Sequence, residues 1–593
     1  MLSAAFFIHD DQNFRGAKIL LFMTQEVAMP LKRGQIAEGK VIQTVFGGRG
    51  IVSLEGEPVF VKNVLPGQTI RFRIKKASAG KCEGTLLEVL EPSPEETLPD
   101  CPHFGACGGC SLRTLPYEGQ LALKRAQVCQ ILNEACEDPH FEGVVPGPVV
   151  EGYRNKMEFS FGDERKDGPM TLGLHRRGSY YDILTVDQCR IVDEDFRRIL
   201  QLTLQMAAES GMPYYQRNRH TGYFRHLVVR KAYHTGEILV NLVTSSQADP
   251  AWEEAWLRSY AEALQGLRSQ DEKSDLPASE TSGLKGEIVG ILHTVNDRQA
   301  DVVFSDRTDI LSGRAYFRED LLGLQFKISP FSFFQNNTAG AERLYSIVRE
   351  YIGDTKDKTI YDLYSGTGTI AQVLAPVAGK VIGVEIVEEA VQAARENAAW
   401  NGLDNCSFIA GDVLKVLDEL EDAPDLIVLD PPREGVHPKA LRRIAAYGAE
   451  RIVYISCKPT SLPEDLGILF RAGYTVARSC AVDMFCGTAH VETVCLLSKL
   501  SEAKNHISVK VEMDEMDLTA AESKATYQEI QEWVQEKYGF HVSHLNIAKT
   551  KRKCGIIERQ NYNLPKTEDS RSPETPKEKE DAIIEAFKAF KMI

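Results

Sequence analysis

The sequence lacks long apolar runs, which a membrane-spanning helix needs, and it has fewer basic than acidic residues. Its 593 residues contain no run of about eighteen apolar residues, which argues against a membrane-spanning helix. The N-terminal apolar patch AKILLFM has neither a basic region before it nor a small-residue cleavage site after it, so we do not predict a signal peptide. Acidic residues outnumber basic ones by 84 to 69, for a formal net charge of −15. Taken alone, that charge argues against a nucleic-acid partner.

Disulfide bonds are also not expected. The 13 cysteines are odd in number and mostly scattered, and a large chain without a secretory signal is predicted to lie in the reducing cytoplasm. There, clustered cysteines are better explained as ligands of a metal or an iron-sulfur group. We expect no membrane partner, and we favour a monomer.

The length exceeds what one hydrophobic core supports, so several domains are expected. Changes in texture predict a poorly ordered leader at 1–30, a small β-barrel at 31–92, a mixed α+β central domain at 93–330, a doubly wound α/β domain at 331–500 and an extension at 501–593. A helix over 111–137 is expected to pack on the α/β domain. The extension contains a charged, proline-rich stretch and no recognisable chemical constellation.

Residues 31–92 have the pattern of a small OB-like barrel. Short runs of β-forming residues are separated by Gly-Gly, Gly-Glu-Pro and Pro-Gly turns, which fits five short strands. This segment has ten Lys and Arg against six Asp and Glu, a net charge of +4. Barrels of this type commonly bind oligonucleotides, and phosphate attraction is local, so an acidic chain can still hold RNA here. The alternative is a generic β-module.

From about residue 340, apolar runs alternate with helical segments, as in TIYDLYSG, KVIGVEIV, DLIVLD and ERIVYISC. Strands linked by crossover helices predict a parallel, doubly wound sheet. Ligands of such sheets bind at the carboxyl ends of the strands. The predicted fold class is therefore α/β, with the barrel and the α+β domain preceding the doubly wound sheet.

The cofactor is predicted at that edge of the sheet. In YDLYSGTGTI, Gly366 and Gly368 allow a sharp turn and close approach to a ligand, although the third glycine of a dinucleotide fingerprint is missing. Glu385 ends the next strand nineteen residues after Gly366, where it can accept hydrogen bonds from ribose hydroxyls. Asp412 and Asp430 end two further strands. This set fits S-adenosylmethionine better than NAD, and the alternative is another kind of nucleotide-binding sheet.

Cys457 follows the apolar run IVYIS, so it is expected at the same edge. The alternative is a buried, inert thiol. Glu492 begins another apolar strand, where a carboxylate is costly unless it is paired or used. A thiol, a carboxylate and a methyl donor together suggest methylation of uracil at carbon 5. In that reaction a thiolate adds to carbon 6 and a base later removes the carbon-5 proton.

Several motifs together resemble the RNA uracil-5 methyltransferase family, especially its ribosomal-RNA branch: FSFFQNNT, YDLYSGTGTI, VIGVEIVEEAVQAARENAAWNG, LDPPREGVHP, YISCKPTSL and HVET. The resemblance covers about residues 31–500. It implies a class I methyltransferase sheet, a TRAM domain as the N-terminal barrel and 23S ribosomal RNA as substrate. It also implies Cys457 as the nucleophile and Glu492 as the base. The cofactor contacts that it implies are Gln335, Tyr364, Glu385 and Asp430.

Two positions depart from the family's usual form. Lys458 stands where a small polar residue or Asp is common, and Cys486 stands where Pro is common. Neither removes a group that the chemistry needs, so only fine substrate preference is in question. The sequence leaves open whether Lys458 lowers the pKa of the Cys457 thiol, touches a phosphate or points to solvent.

A second candidate site is CPHFGACGGC, in which Cys101, Cys107 and Cys110 are spaced C-x5-C-x2-C. Three thiols need a fourth ligand for tetrahedral zinc or a four-iron cluster. The best distant candidate is Cys189, and the alternatives are Cys82, Cys129 and Cys136. The family resemblance favours Cys189, in VDQCRI, and a 4Fe-4S cluster. Zinc and three unligated thiols are the alternatives.

RNA contacts are predicted where cations alternate with aromatics, because cations hold phosphates and aromatic rings stack on unpaired bases. The stretches GYRNKMEFSF and LGLHRRGSYYD have this pattern. The candidate residues are Arg154, Lys156, His175, Arg176, Arg177, Tyr180 and Tyr181. For each of them the alternative is an ordinary solvated surface.

The sequence therefore predicts an S-adenosylmethionine-dependent enzyme that methylates carbon 5 of a uridine in structured RNA, with 23S ribosomal RNA as the first choice. Transfer RNA is a close alternative. The cysteine motif and the barrel argue against it, because the transfer-RNA branch generally lacks both. A non-catalytic RNA-binding protein with an iron-sulfur or zinc module is the alternative from another class. The target uridine is not identified.

Overall fold

A computed structural model describes residues 31–77, 82–267, 283–300, 302–420, 423–499, 527–554 and 576–590. The predicted leader at 1–30 lies outside these ranges. The chain divides between residues 501 and 502 into two compact units, which are described separately. No helix among the described residues is long and apolar enough to cross a membrane.

The first unit begins with a closed barrel of five strands, joined in the order β1-β2-β3-β5-β4. The strands are β1 Ile36–Val45, β2 Arg49–Leu54, β3 Glu57–Lys62, β4 Thr69–Lys76 and β5 Cys82–Glu91. Its core is filled by buried side chains such as Val52, Val61 and Phe72. Only glycine fits at Gly50, since a Cβ there would lie 2.3 Å from a methyl carbon of Val64. The predicted small OB-like barrel is confirmed.

A helix and a seven-stranded sheet follow, with the strand order β13-β12-β11-β10-β7-β8-β9. The elements are α1 Tyr117–Ala135, β6 Phe141–Val145, β7 Lys156–Asp163, β8 Met170–His175, β9 Ile183–Thr185, α2 Glu194–Glu209, β10 Phe224–Lys231, β11 Glu237–Thr244, α3 Pro250–Gly266, β12 Glu287–Val295 and β13 Arg307–Gly313. Helices α2 and α3 pack on this sheet through Phe196 and Tyr260. The hairpin β14 Phe317–Leu321 and β15 Leu324–Ile328 leads into the next sheet.

The third sheet has eight strands in the order β18-β17-β16-β19-β20-β22-β21-β6. Its elements are α4 Thr338–Ile352, β16 Thr355–Leu363, α5 Thr369–Leu374, β17 Ala378–Glu385, α6 Glu388–Trp400, β18 Cys406–Ala410, α7 Val413–Glu419, β19 Leu426–Leu429, α8 Pro438–Ala446, β20 Arg451–Ser456, α9 Leu462–Arg471, β21 Tyr474–Val482 and β22 Glu492–Lys499. Strands β16 to β20 run parallel, whereas β22 is antiparallel between β20 and β21.

Helices cover both faces of this sheet, as a doubly wound fold requires. Alternate side chains of β16 show it: Ile360 joins a core formed with α4, α5 and α6, whereas Tyr361 and Leu363 join a core formed with α7, α8 and α9. Helix α1 packs on the second face through Val128 and Leu132. It begins at Tyr117 rather than at 111, because the chain makes turns before Pro116. The predicted fold class is confirmed.

One edge strand was not predicted from the sequence. Strand β6 pairs in parallel with β21, joining Val144 to Ala481. It comes from the segment before the central sheet, so the eight-stranded sheet draws on residues far from 331–500. The run is five residues long and contains Gly143 at φ 114°, which weakens its strand pattern.

The second unit contains three described helices, α10 Tyr527–Tyr538, α11 His544–Lys553 and α12 Lys577–Ala589. They enclose a small apolar core that includes Ile530, Ile547 and Phe587. The sequence predicts the first of these helices from the amphipathic pattern TYQEIQEWVQEKYG and the last from AIIEAFKAFKMI. Helix α11 is not, because its run of cations dilutes the apolar pattern.

Candidate active site

The first candidate site lies at the carboxyl ends of the parallel strands. Neighbouring strand ends are in register, since Leu429 of β19 pairs with Leu363 of β16 and with Tyr454 of β20. Strand β22 runs the other way and pairs Thr493 with Ser456. Its first residue, Glu492, therefore begins at the edge where β20 ends before Cys457. The two residues, 35 positions apart in sequence, become neighbours.

Burial, and to a lesser extent the nearby charges, shift the pKa of the Cys457 thiol. Burial raises the pKa of the Cys457 thiol to about 11, and the carboxylates of Glu492 and Asp430 raise it as well. The guanidinium of Arg433 acts in the opposite direction. Burial, together with the charge of Asp430, holds the pKa of Glu492 well above its usual range. Without ligands, the Cys457 thiol therefore favours its protonated form at neutral pH.

We expect Cys457 in the ligand-free protein to be alkylated about tenfold faster per pH unit between about pH 7 and pH 10, because only the thiolate is nucleophilic and its pKa is about 11. Arg433→Ala should slow alkylation at any given pH, since loss of the cation raises the pKa further. Arg433→Lys keeps the charge and serves as control. Iodoacetamide labelling with mass spectrometry of the Cys457 peptide measures the rates. Equal rates in the two variants would contradict the assigned role of Arg433.

The turn after β16 is shaped by Glu385. Its carboxylate accepts hydrogen bonds from the backbone N–H groups of Gly366 and Val387, both at 3.0 Å. Gly366 has φ 54°, and no atom lies within 4 Å of the position that a Cβ would take. Tyr364 precedes this turn and is itself in the left-handed region, at φ 69°. The backbone here faces open space at the strand ends, as a cofactor turn requires.

The other predicted cofactor residues, Gln335, Asp430 and Asp412, differ from one another in burial and in their hydrogen bonds. Gln335 hydrogen-bonds Tyr345 of α4 through its side chain, and its carbonyl accepts a bond of 2.9 Å from Asn155 Nδ2. Asp430 directly follows β19, and burial raises its pKa to about 7. Asp412 is exposed and caps α7 by accepting from the Leu414 N–H at 2.8 Å. Part of its carboxylate is therefore already used.

Asp362 is a further acidic residue at this edge. Its Oδ2 accepts from the Ala371 N–H at 2.9 Å, whereas its Oδ1 and the nearby Ser365 Oγ are buried and have no hydrogen-bond partner among the described residues. Burial and the charges of Asp430 and Glu385 raise the pKa of Asp362 to about 8. A group with positive charge and donors would relieve both effects. S-adenosylmethionine, with its sulfonium and ammonium groups, fits this edge.

Sequence reasoning missed three residues of the site. Arg433 stands directly after the Asp-Pro-Pro motif, and an acid within the apolar strand TIYDL could have drawn attention to Asp362. Tyr345 leaves no such signal, because it belongs to the buried face of α4. The direction of Lys458, which the sequence left open, is seen in the structure, where its side chain is exposed.

The four predicted thiol ligands line one pocket, together with Phe104, Arg113 and Arg190. These thiols belong to Cys101, Cys107, Cys110 and Cys189. Burial raises the pKa of the Cys110 thiol to about 12, and Arg113 opposes that effect. Cys82, by contrast, lies in the barrel core, and Cys129 and Cys136 lie on and after α1. No group of three or more His, Cys, Asp or Glu among the described residues is arranged to hold a metal ion.

The predicted RNA contacts lie at one end of the central sheet, because the pairing of Ser160 with Gly173 sets the start of β7 beside the end of β8. Most of the cations already have protein partners: Arg154 donates to the Lys156 carbonyl, Lys156 pairs with Glu158, Arg176 pairs with Glu164, and Arg177 donates to the Cys110 carbonyl. The rings are more accessible. Tyr180 and Tyr181 are 65% and 60% exposed.

Comparison with known proteins identifies the family. A model of the tRNA (uracil-5-)-methyltransferase family matches residues 310–500. An uncharacterized RNA methyltransferase of Caldanaerobacter subterraneus is 47% identical over 470 residues, which cover 79% of this chain and 100% of that protein. The chain belongs to the RNA uracil-5 methyltransferase family. Another relative, an uncharacterized RNA methyltransferase of Clostridium acetobutylicum, is 44% identical over 79% of this chain and 99% of its own length.

A solved structure supports the same assignment. The Pyrococcus abyssi tRNA (uracil-54, C5)-methyltransferase, in complex with S-adenosyl-L-homocysteine, is 27% identical with a TM-score of 0.60. The match covers 78% of this chain and 99% of that protein. As a family member, the protein is an S-adenosylmethionine-dependent RNA uracil-5 methyltransferase. The predictions of family and enzyme class are confirmed.

Proposed function

We propose that the protein methylates carbon 5 of a uridine in 23S ribosomal RNA through a covalent adduct with Cys457. The observation that carries this proposal is the meeting of Cys457 and Glu492 beside the acidic cofactor edge. Carbon 5 of uracil is a poor nucleophile, and addition of a thiolate at carbon 6 turns it into an enolate carbon. A thiol and a buried carboxylate at the methyl donor supply the two groups that this chemistry needs.

The proposed reaction has three steps: addition to carbon 6, methyl transfer to carbon 5, and elimination. The Cys457 thiolate adds to carbon 6 while the carbon 5–carbon 6 π bond opens to an enolate. Carbon 5 then bonds to the methyl carbon as the methyl–sulfur bond of the sulfonium breaks, and S-adenosylhomocysteine is the leaving group. Glu492 then removes the carbon-5 proton, and the sulfur–carbon 6 bond breaks to restore the pyrimidine and the thiolate. Arg433 favours the thiolate before attack. The methyl donor would be held by Gln335, Tyr364, Gly366, Glu385, Asp412 and Asp430, with Asp362 as an additional contact.

We propose a 4Fe-4S cluster on the four thiols Cys101, Cys107, Cys110 and Cys189. A cluster of this kind is held by four cysteine thiolates. The four thiols line one pocket, so the chain brings the required number of ligands together. The family resemblance favours this cluster over zinc, which four thiolates could also bind. The cluster would stabilise the segment around residues 101–110 rather than take part in methyl transfer.

Cys189→Ser is expected to lower the iron and sulfide content of protein purified without oxygen to less than about half of the wild-type value, because one of four ligands is lost. Cys129→Ser, which changes a half-buried thiol of α1 outside the pocket, should leave both contents unchanged. Iron and sulfide assays and the visible absorption spectrum measure the effect. Zinc in place of iron, or equal losses in the two variants, would contradict the assignment.

Transfer RNA is the second candidate substrate. Transfer RNA is the substrate named in the description of the matching family model and in that of the Pyrococcus abyssi enzyme. Ribosomal RNA is favoured because the chain combines a barrel of net positive charge, proposed as a TRAM domain, with the four-thiol pocket.

The domains proposed are a barrel at 31–92 that binds RNA, a central domain at 93–330 and a catalytic domain at 331–500. No role is assigned to the extension at 501–593.

The experiment that tests this function is a map of 5-methyluridine in ribosomal and transfer RNA from cells with and without the protein. Loss of methylation from a 23S site, restored by the wild-type gene but not by Cys457→Ala, is expected. Loss confined to transfer RNA would move the assignment to the second candidate. Labelled S-adenosylmethionine with total RNA tests the non-catalytic alternative, which requires no incorporation.

Tyr180 and Tyr181 are expected to stack on unpaired bases of the substrate. Arg217 lies 4.9 Å from the Tyr180 ring and His175 stacks on it at 6.2 Å, which leaves a supported aromatic surface beside the cysteine segment. Tyr180→Ala should weaken RNA binding by about 1–3 kcal/mol, the scale of one base–aromatic stack. Tyr233→Ala, another exposed tyrosine, is the control. Equal affinities in a filter-binding titration would contradict this contact.

A further inference from the structure

The loop of residues 483–491 connects β21 to β22 and leads directly into Glu492. Val482 and Glu492 pair across the hairpin, so the position of the loop sets where the carboxylate begins its strand. Loops of this length usually lie on the surface and vary in position. Here Met484, Cys486 and Val491 are fully buried. The position of the 483–491 loop is therefore set by the elements packed around it.

The first of these elements is the segment after the four-thiol pocket. The backbone N–H groups of Ser111 and Leu112 both donate to the carbonyl of Gly487, at 3.0 and 2.9 Å. Gly487 has φ 78°, a left-handed conformation that favours glycine, and a Cβ there would also lie close to Arg113 Cγ, at 3.0 Å. Cys110 immediately precedes Ser111. Cys110 of the four-thiol pocket is thus adjacent in sequence to Ser111, which bonds the 483–491 loop.

The second element is helix α1. Lys124 Nζ donates to Asp483 Oδ1 at 2.6 Å and to the Phe485 carbonyl at 3.3 Å, and Gln120 Oε1 accepts from the Gly487 N–H at 2.8 Å. Lys124 is 1% exposed and Asp483 is 0% exposed. A buried ion pair adds little net stability compared with apolar residues of similar size. Its value here lies in the geometry that it imposes on the loop.

The same loop also reaches the cofactor side. Asn337 Nδ2 donates to the Met484 carbonyl at 2.8 Å, and Asn337 follows Gln335 by two residues. Tyr153 of the central domain donates from its hydroxyl to the Cys486 carbonyl at 3.0 Å. The 483–491 loop is therefore a junction between the cysteine segment, α1, the central domain and the cofactor edge.

We propose that Lys124 and Gln120 are positioning residues, which hold Glu492 through the 483–491 loop for removal of the carbon-5 proton. This inference rests on the proposed function, because it concerns the base of that mechanism. Cys457 is carried by β20, whereas the loop leads into β22. Loosening the loop should therefore affect the last step, in which the RNA is released, more than the formation of the methylated adduct.

The test compares three variants in single-turnover reactions with methyl-labelled S-adenosylmethionine and substrate RNA. Lys124→Met with Asp483→Leu removes both charges together, so that no unpaired charge stays buried. Gln120→Met removes the acceptor for Gly487 in an otherwise unchanged chain. Arg125→Met changes the exposed neighbour of Lys124 on α1 and is the matched control. Two rates are measured: formation of a labelled protein–RNA complex that resists SDS, and its decay to free methylated RNA.

We expect formation at close to the wild-type rate and decay slowed by about tenfold, less than the 10²–10⁴-fold loss expected on removal of a general base itself. Arg125→Met should match the wild type in both rates. Decay at the wild-type rate in both test variants would overturn the inference, as would equal slowing of formation and decay. If the wild type forms no Cys457-dependent complex, the proposed function fails, and the inference fails with it.

Discussion

Cys457→Ala protein is expected to bind S-adenosylmethionine and RNA as the wild type does and to methylate RNA more slowly by on the order of 10⁶-fold, the scale on which loss of a covalent nucleophile slows catalysis. The physical reason is that carbon 5 of uracil attacks a methyl sulfonium only after a thiolate has added to carbon 6. Binding should be unaffected, because the thiol is small and its replacement leaves the acidic edge intact. Transfer of labelled methyl groups measures the rate, and calorimetry measures the cofactor affinity.

Cys406→Ala provides a matched control. Cys406 is a second half-buried thiol in the same sheet, but it stands at the amino end of β18, whereas Cys457 follows the carboxyl end of β20. Its variant should keep wild-type activity. Residual methylation by Cys457→Ala within about tenfold of the wild type would rule out the covalent mechanism. Equal losses in the two variants would point to general destabilisation.

Glu492→Gln is expected to trap the reaction after methyl transfer. The amide keeps the size and much of the hydrogen bonding of the side chain but cannot remove the carbon-5 proton, so turnover should fall by about 10²–10⁴-fold. Methylated RNA should then remain bonded to Cys457. Gel electrophoresis in SDS measures this complex, which should carry label from both the RNA and the methyl donor.

The pH dependence of decay in the wild type supplies an independent check. Burial holds the pKa of Glu492 well above its usual range, so the fraction of carboxylate, and with it the decay rate, should rise with pH.

Glu464→Gln, which changes an exposed carboxylate of α9, is the control for Glu492→Gln and should show no trapped complex. A Glu492→Gln protein that releases methylated RNA at the wild-type rate would exclude this carboxylate as the base.

Much of the site could be predicted because its signals are short. The turn after β16, the strand-end acids and the thiol after β20 all lie in stretches of about ten residues or fewer, and their strands are strongly apolar. Strand ends in a parallel sheet meet at one edge, so these motifs converge once the fold class is known. Asp362 and Arg433 lie within the same motifs and escaped notice, because their effect depends on burial and on neighbouring charges.

Other features left no local signal. Strand β6 has a weak strand pattern in the sequence, and it forms because it pairs with the edge strand β21. Helix α11 has a cationic rather than an apolar pattern, and a few apolar contacts in the second unit hold it. Lys124 and Asp483 are separated by more than 350 residues, so their pairing follows only from the packing of α1 on the eight-stranded sheet.

By itself the sequence determined the doubly wound fold class and the family. It also predicts a methyl donor at the sheet edge, a thiol and a carboxylate that act on uracil, and a three-thiol motif that needs a fourth ligand. Only the tertiary structure decided which distant residues meet. The antiparallel course of β22 brings Glu492 to Cys457, and the packing of the central domain brings Cys189 to the other three thiols. The reason is physical. Motifs depend on neighbours along the chain, whereas long-range partners are chosen by burial of apolar faces, which short patterns do not encode.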